Sequence, residues 1–229
     1  MAVKLVVFDM DDTLFLESSY VSSGFKAVER MLFKNYGHLG FYDRAWGLFT
    51  AGHRGDIFDV ALVGLSASLP RDIVARCVDV YREHHPSIGL LPDSREFVDL
   101  CSASSVTGLV TDGPRSSQKA KAHSLGLYDL VDNVIVTDEH SGWAKPSLFA
   151  FEHLQALAGA EGKDCIYIAD NPRKDFIAPR ALGWATVRVR RPGSLHMGIV
   201  SGGDVDFEVA NLDPASILRI ELFSFVAKK

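Results

Sequence analysis

Short apolar runs recur along the chain, and their composition predicts buried strands. Leu5 to Phe8 is continuously apolar and rich in β-branched side chains, as is typical of a strand buried on both faces of a parallel sheet. Four later runs have the same character: Val106 to Val110, Val134 to Val136, Cys165 to Ala169, and Ala185 to Val189. Phe207 to Ala210 is a candidate edge strand.

Helical periodicity separates these runs. It is clearest over Asp93 to Ala103, Pro114 to Leu125 and Pro146 to Leu157, and a proline is favourable in the first turn of the last two. A final helix is predicted from Pro214 to Leu222, opening at Asp213. Because strands that alternate with helices form right-handed βαβ units, the pattern predicts an α/β fold with an open, doubly wound parallel sheet.

The alternation stops between Phe15 and Leu91, where helical patterns occur and almost nothing indicates a buried strand. Apolar residues recur at helical spacing from Ile73 to Tyr81, and this pattern ends at His84 and His85, which we expect at a solvated helix end. The predicted domains are an α/β core of residues 1–14 and 92–229 and a helical insertion of residues 15–91.

Composition excludes several classes of protein. The chain has 229 residues, of which 47% are apolar, so it is long enough for a substantial core. Its formal net charge of -5 comes without a basic stripe, which makes nucleic acid a poor candidate partner. An acidic protein can still bind an anionic substrate where a metal ion and a few cations lie in the site.

The cysteines and the N-terminus indicate a reduced, soluble protein. Cys77, Cys101 and Cys165 are widely spaced and form no CxxC pair, so we expect buried thiols rather than a zinc or redox site. The apolar stretch at the N-terminus is too short for a signal peptide, and no other run approaches membrane-spanning length. These features predict a cytoplasmic protein with no membrane partner.

Three carboxylates follow the first predicted strand within four residues: Asp9, Asp11 and Asp12. Like charges this close resist joint ionisation unless a cation or dedicated hydrogen bonds compensate. An EF-hand calcium loop is excluded, since it requires Gly at Leu14 and Glu at Tyr20. A solvated acidic turn is the simplest remaining alternative for this segment taken alone.

Polar residues also follow the other predicted strands, where open α/β sheets place their ligand sites. Thr111-Asp112-Gly113 follows the second strand, and its hydroxyl and turn N–H groups are suited to phosphate oxygens. Lys145 lies between the third strand and the next helix, where an ammonium group would neutralise a bound oxyanion.

Asp170 and Asp175 follow the fourth predicted strand. Hard oxygen ligands without His or Cys partners suit magnesium better than zinc. For Asp175, a carboxylate at a helix N-terminus is an equally simple interpretation.

Together these residues resemble the four signature motifs of the haloacid dehalogenase-like superfamily, and the resemblance extends from Leu5 to about Val189. Phe8 to Leu14 resembles the first motif, Thr111 the second, Lys145-Pro146 the third, and Asp170 with Asp175 the fourth. The helical insertion resembles the subfamily whose cap is α-helical. The resemblance implies a Rossmann-like sheet with strand order 3-2-1-4-5, which places the first and fourth motifs side by side.

The resemblance also implies roles. Asp9 would be the nucleophile that forms an aspartyl-phosphate, and Asp11 the general acid and base. Mg²⁺ would be held by Asp9, the backbone carbonyl of Asp11, and Asp170, with Asp175 as a ligand or a support. Thr111 and Lys145 would bind the transferring phosphoryl group. Dehalogenases lack a carboxylate at the Asp11 position, so its presence argues against dehalogenation.

Two residues depart from the commonest family pattern. Asp12 stands where Gly is frequent, and Asp112 stands where Asn is frequent. We count Asp112 and Gly113 among the substrate-binding candidates, although the extra charge of Asp112 near a phosphate would also be relieved if its side chain turned outward.

The sequence thus predicts a magnesium-dependent phosphatase that hydrolyses a small phosphorylated metabolite, such as a sugar phosphate, phosphoglycolate or a nucleotide-like ester. A phosphomutase of the same fold is the alternative. A phospho-accepting signalling module is disfavoured, because such modules are shorter and lack the insertion. His53 and Arg54 are candidates for reading a second group on the substrate, against the simpler interpretation of a solvated loop.

Overall fold

The computed structural model describes residues 3–63, 65 and 69–217. These form two compact units: an α/β unit, comprising residues up to Glu17 and from Gly89 onward, and an insertion unit, Ser18–Ile88. The division lies three residues inside the expected limits of 15 and 91 at each end. The two chain segments that leave the α/β unit are tied to each other, because the amide of Leu91 donates to the carbonyl of Leu14 at 3.1 Å.

The α/β unit is built on a six-stranded sheet in which every pair of neighbouring strands is parallel. The strand order, β3-β2-β1-β4-β5-β6, confirms the predicted doubly wound fold and the added edge strand. The strands are β1 Leu5–Phe8, β2 Val106–Thr111, β3 Asn133–Val136, β4 Cys165–Ala169, β5 Ala185–Val189 and β6 Phe207–Val209.

The insertion unit is helical over the residues described, and an aromatic cluster forms its interior. The ring of Phe25 lies 5.7–6.5 Å from four other aromatic rings, measured between ring centroids. Those rings belong to Phe41, Phe49, Phe58 and Tyr81. The helices are α1 Glu17–Tyr36, whose first residue belongs to the α/β unit, α2 Phe41–Thr50, α3 Ile57–Leu62 and α4 Ile73–Glu83.

The prediction of a solvated helix end is wrong for His84 and confirmed for the exposed His85. His84 is buried at the end of α4, where its Nδ1 lies 2.6 Å from the carbonyl oxygen of Tyr81. Its Nε2 lies 3.1 Å from Oγ of Ser23 on α1. Helical spacing locates the end of α4 but contains no information about the helix that covers it.

The predicted helices of the α/β unit are present, and two of them begin later than predicted. Pro114 and Pro146 were expected in first turns, but the helices begin at Arg115 and Phe149, and Pro146 lies in a turn. The last helix is described as far as Ile217, and the rest of its predicted span lies outside the described residues. The helices are α5 Pro92–Ser102, α6 Arg115–Ser124, α7 Leu127–Leu130, α8 Phe149–Leu157, α9 Ile177–Ala181 and α10 Pro214–Ile217.

Helices cover both faces of the sheet, which explains why the central strands β1 and β4 are buried along their whole length. On one face, Phe151 of α8 packs edge-to-face against Tyr167 of β4, with ring centroids 4.9 Å apart. On the other face, Phe97 of α5 packs against Phe8 of β1 at 6.3 Å. The three cysteines are buried free thiols, as expected. Within the described part of the chain, no helix combines the length and apolarity that crossing a membrane requires.

Candidate active site

The carboxyl ends of the central strands bring the sequence motifs together. Asp9 follows the last residue of β1, Thr111 is the last residue of β2, and Asp170 follows the last residue of β4. Since β1 lies between β2 and β4, these three residues lie close together at the carboxyl ends of the central strands.

Three buried carboxylates converge there. One oxygen each of Asp9, Asp170 and Asp175 lies within 4.8 Å of the other two. Burial raises the pKa of Asp170 to about 9, and the neighbouring charges of Asp9 and Asp175 add to this shift. Burial also raises the pKa of Asp9 to about 7, although Lys145 opposes the shift. Crowding of this kind favours a cation in the site.

Lys145 supplies one positive charge to this cluster. Its Nζ lies 2.5 Å from Oδ1 of Asp9 and 2.8 Å from Oδ1 of Asp175, the second contact being an ion pair without hydrogen-bond geometry. Nζ also donates to the hydroxyl of Tyr167 at 3.2 Å. Burial alone would lower the pKa of Lys145, but the charges of Asp175 and Asp9 raise it well above its usual value. Lys145 is therefore held as an ammonium ion.

Asp175 is turned toward this cluster rather than toward α9. The residue that caps α9 is Phe176, and no side chain donates or accepts a capping hydrogen bond there. Oδ2 of Asp175 accepts from the amide of Asn171 at 2.9 Å, while Oδ1 faces Lys145. Of the two interpretations of Asp175, this geometry favours a role in the cluster.

Asp11 is held by helix α6 through two residues that the sequence interpretation did not identify. Nζ of Lys121 donates to Oδ1 of Asp11 at 2.7 Å, and Nε2 of Gln118 donates to Oδ2 at 2.8 Å. Gln118 also donates to Oγ1 of Thr111 at 2.6 Å. The available signal was the spacing of 118 and 121, which places both residues on one helix face together with the buried Ala122.

Asp12 has a structural role that explains its departure from the family pattern. Its backbone is left-handed, with φ of 53°, a region that Gly enters freely and Asp enters more readily than most residues. Its Oδ1 accepts from the amide of Glu17 at 2.9 Å, and its Oδ2 accepts from the amide of Leu195 at 2.7 Å. A glycine would provide neither bond.

The Asp112 side chain turns inward and is fully engaged by the protein. Oδ1 accepts from Oγ1 of Thr137 at 2.7 Å and from the amide of Lys145 at 3.2 Å, and Oδ2 pairs with Nζ of Lys174 at 2.6 Å. Burial would raise its pKa, but Lys145 and Lys174 hold the value below the usual range. The next residue, Gly113, has φ of 136°, which a residue with a side chain rarely adopts.

His53 and Arg54 lie in the loop after α2 and have local partners. Nδ1 of His53 lies 3.2 Å from Oδ1 of Asp56. Nη1 of Arg54 donates to the carbonyls of Phe49 and His53 at 2.8 Å and 2.6 Å, and the guanidinium lies 4.3 Å from the centroid of the Phe49 ring. These contacts are those of a residue that caps the end of its own helix.

Known proteins resemble this chain over most of its length. The chain is 25% identical over 197 residues to the glyceraldehyde 3-phosphate phosphatase of Methanocaldococcus jannaschii, a match that covers 82% of this chain and 85% of the relative. It is also 25% identical over 198 residues to the ribulose-1,5-bisphosphate 5-phosphatase of Halopiger xanaduensis, covering 80% and 82%.

The fold is shared with a solved protein from Geobacter sulfurreducens that is described as a HAD-superfamily hydrolase, subfamily IA. The TM-score is 0.68 at 14% identity, and the match covers 96% of each chain. A family model described as haloacid dehalogenase-like hydrolase matches residues 3–183, which include all four motifs. The chain therefore belongs to the haloacid dehalogenase-like hydrolase family.

Proposed function

We propose that this chain is a magnesium-dependent phosphatase that hydrolyses a small sugar phosphate through an aspartyl-phosphate on Asp9. Its broader class, phosphoric monoester hydrolase, follows from the family and from relatives that are named phosphatases. The observation that carries the proposal is the convergence of the buried carboxylates of Asp9, Asp170 and Asp175 on the ammonium group of Lys145.

The carboxylate cluster fits a magnesium ion. Its donors are hard oxygens with no His or Cys among them, and Oδ2 of Asp170 is buried without a hydrogen-bond partner among the described residues. Asp9, Asp170 and the backbone carbonyl of Asp11 would hold the ion, and Asp175 would either bind it or orient Lys145. When bound, Mg²⁺ would supply positive charge that offsets the carboxylates and the phosphoryl oxygens.

The side chains then divide the reaction between them. The carboxylate of Asp9 attacks phosphorus, and the ester bond breaks as Asp11 gives a proton to the departing alcohol oxygen. Asp11 next takes a proton from the water that cleaves the aspartyl-phosphate, so the products are an alcohol and inorganic phosphate. Thr111, Lys145 and the turn at Gly113 contact the phosphoryl oxygens. We propose that Asp112 positions Lys145 instead of contacting the substrate, because both of its carboxylate oxygens have protein partners.

The relatives above are named for phosphorylated sugars, which favours this class over phosphoglycolate and nucleotide-like esters. We propose that the insertion unit serves as the mobile cap that the family resemblance implies. The local partners of His53 and Arg54 favour the solvated-loop interpretation of these two residues.

Phosphate release tests this function. We would incubate the chain with a panel of sugar phosphates, phosphoglycolate and nucleoside monophosphates, with Mg²⁺ or with excess chelator. We expect phosphate release from at least one sugar phosphate, its loss on chelation and its return on addition of Mg²⁺. Full turnover after verified metal removal would contradict the magnesium assignment. Conversion of a substrate to a phosphate isomer without phosphate release would indicate a phosphomutase.

A further inference from the structure

Helix α6 provides a separate donor for each carboxylate oxygen of Asp11. Gln118 and Lys121 are three residues apart, so their side chains lie on one face of the helix, one above the other. Lys121 donates to Oδ1 and Gln118 to Oδ2, at 2.7 Å and 2.8 Å. With both oxygens held, the plane of the carboxylate is fixed rather than free to rotate.

Both donors are buried, and this is unusual for such polar side chains. The exposed fraction is 1% for Gln118 and 4% for Lys121. Taking an ammonium group or an amide out of water destabilises the fold unless the group is paired, so their burial against Asp11 indicates a specific arrangement. A carboxylate has about four lone-pair positions, and two donors therefore leave positions open for a proton that is transferred to or from a substrate.

Gln118 also connects Asp11 with the second motif. Its Nε2 faces three acceptors: the Asp11 carboxylate, Oγ1 of Thr111 at 2.6 Å and the carbonyl of Asp112 at 2.9 Å. Because the carboxylate of Asp11 and the carbonyl of Asp112 can only accept, the amide nitrogen must point toward them. The oxygen of the Thr111 hydroxyl accepts a hydrogen bond from Gln118, which leaves the hydroxyl hydrogen available to donate to a phosphoryl oxygen.

We propose that Gln118 and Lys121 are positioning residues that aim Asp11 at the oxygen of the leaving alcohol. The inference rests on the proposed phosphatase function, in which Asp11 transfers that proton. It has a specific consequence, because an alkyl leaving group must be protonated as it departs, whereas a dinitrophenolate departs without a proton. Loss of either positioning residue should therefore slow the cleavage of alkyl esters selectively.

Leaving-group dependence tests this inference. We would measure kcat/KM, which covers the steps up to formation of the aspartyl-phosphate, for 2,4-dinitrophenyl phosphate and for an alkyl ester. The alkyl ester would be the one that the wild type cleaves fastest among phosphoglycolate and the sugar phosphates of the panel above, which include glyceraldehyde 3-phosphate and ribulose 1,5-bisphosphate. Lys121→Met and Gln118→Met remove the two donors. Lys119→Met is the matched control, since Lys119 is only partly buried on the same helix and pairs with Glu139 at 2.6 Å.

For Lys121→Met we expect a loss of roughly ten- to a hundredfold on the alkyl ester and less than about threefold on the dinitrophenyl ester. Gln118→Met should show the same selectivity with a smaller loss, and it carries the test if Lys121→Met does not fold. In an Asp11→Asn background, Lys121→Met should change the rate on the alkyl ester by less than about twofold, since coupled residues are not additive.

Equal losses on both esters, no loss on either, or an undiminished effect in the Asp11→Asn background would overturn the inference. A wild-type chain that cleaves none of these esters would instead refute the proposed function.

Discussion

The α/β unit and the insertion unit hold their charged side chains in different ways. In the α/β unit, Lys145 and Lys121 are buried against Asp9 and Asp11. In the insertion unit, the cationic candidates His53 and Arg54 are exposed and contact neighbours in their own loop. Buried ion pairs require desolvation of both charges and are a poor way to gain stability, and their position in the α/β unit is one reason why we propose that the chemistry lies there.

The insertion unit instead places one buried polar side chain, His84, within its aromatic interior. The ring of His84 lies 5.0 Å from that of Tyr20 and 6.0 Å from that of Tyr81, measured between ring centroids, and it is hydrogen-bonded to Ser23. Such a group stabilises packing and gives no sign of catalysis. Substitutions in the α/β cluster should therefore change the rate, whereas substitutions inside the insertion unit should change the free energy of unfolding.

The largest effect is expected for Asp9→Asn in the α/β unit. The amide is not a nucleophile toward phosphorus, so this variant should release no detectable phosphate and form no covalent adduct. Phosphate release by matched amounts of variant and wild type would measure this. Asp99→Asn, at an exposed position of α5 where the carboxylate forms an exposed ion pair with Arg95, is the control and should retain wild-type turnover.

Asp11→Asn should have the next largest effect. Its backbone carbonyl is unchanged, so the variant should fold and bind Mg²⁺, but it should lose roughly two to four orders of magnitude in rate on an alkyl ester, the usual span for general acid–base catalysis. Steady-state kinetics and Mg²⁺ titration would measure the two properties. A rate within tenfold of wild type would exclude Asp11 as the proton donor.

Residues inside the insertion unit should show the opposite pattern. His84→Ala removes one hydrogen-bond partner of the buried Ser23 hydroxyl, which keeps the amide of Ser87, and should lower the free energy of unfolding by about 1–3 kcal/mol. Urea unfolding would measure the change, and the exposed His85→Ala, one residue away, is the matched control with an expected change within about 0.5 kcal/mol. If His84→Ala matched the stability of its control, the packing account would be wrong.

The smallest effect is expected for the exposed loop. Because Arg54 is occupied by the carbonyls of Phe49 and His53, Arg54→Ala should change kcat/KM by less than about threefold on any active ester, an exposed contact being worth little. Kinetics with a charged sugar phosphate and with a small aromatic phosphate would measure this. A loss of tenfold or more on the sugar phosphate alone would show that Arg54 binds the substrate. It would contradict the claim that only the α/β unit contributes charged side chains to the reaction.

The central strands β1 and β4 were predictable because each is a continuous apolar run between polar turns, and Leu5–Phe8 and Cys165–Ala169 have the predicted limits. Ala185–Val189 also has the predicted limits, although it contains the buried Thr186 and Arg188. The starts of α6 and α8 were less predictable. A proline is compatible with a first helical turn and equally with the turn before it, so the residue type alone does not decide.

The partners of the candidate site were not predictable, because they come from distant parts of the chain. The orientation of Asp112 depends on Thr137 and Lys174, which are 25 and 62 residues away. The spacing of Gln118, Lys121 and Ala122 places them on one face of α6, but it does not show that this face contacts Asp11. The topology of the sheet fixes where the motif residues at strand ends lie, whereas the side chains that contact those residues depend on tertiary packing.

The central claim is that Asp9 forms a covalent bond to phosphorus. The direct test is to quench wild-type enzyme in acid during turnover of an active ester and to locate the phosphoryl group by peptide mass spectrometry. The account predicts an acid-stable, alkali-labile adduct on Asp9 that is absent from Asp9→Asn. An adduct on any other residue would contradict it. So would pre-steady-state kinetics that show a burst of alcohol release without an adduct.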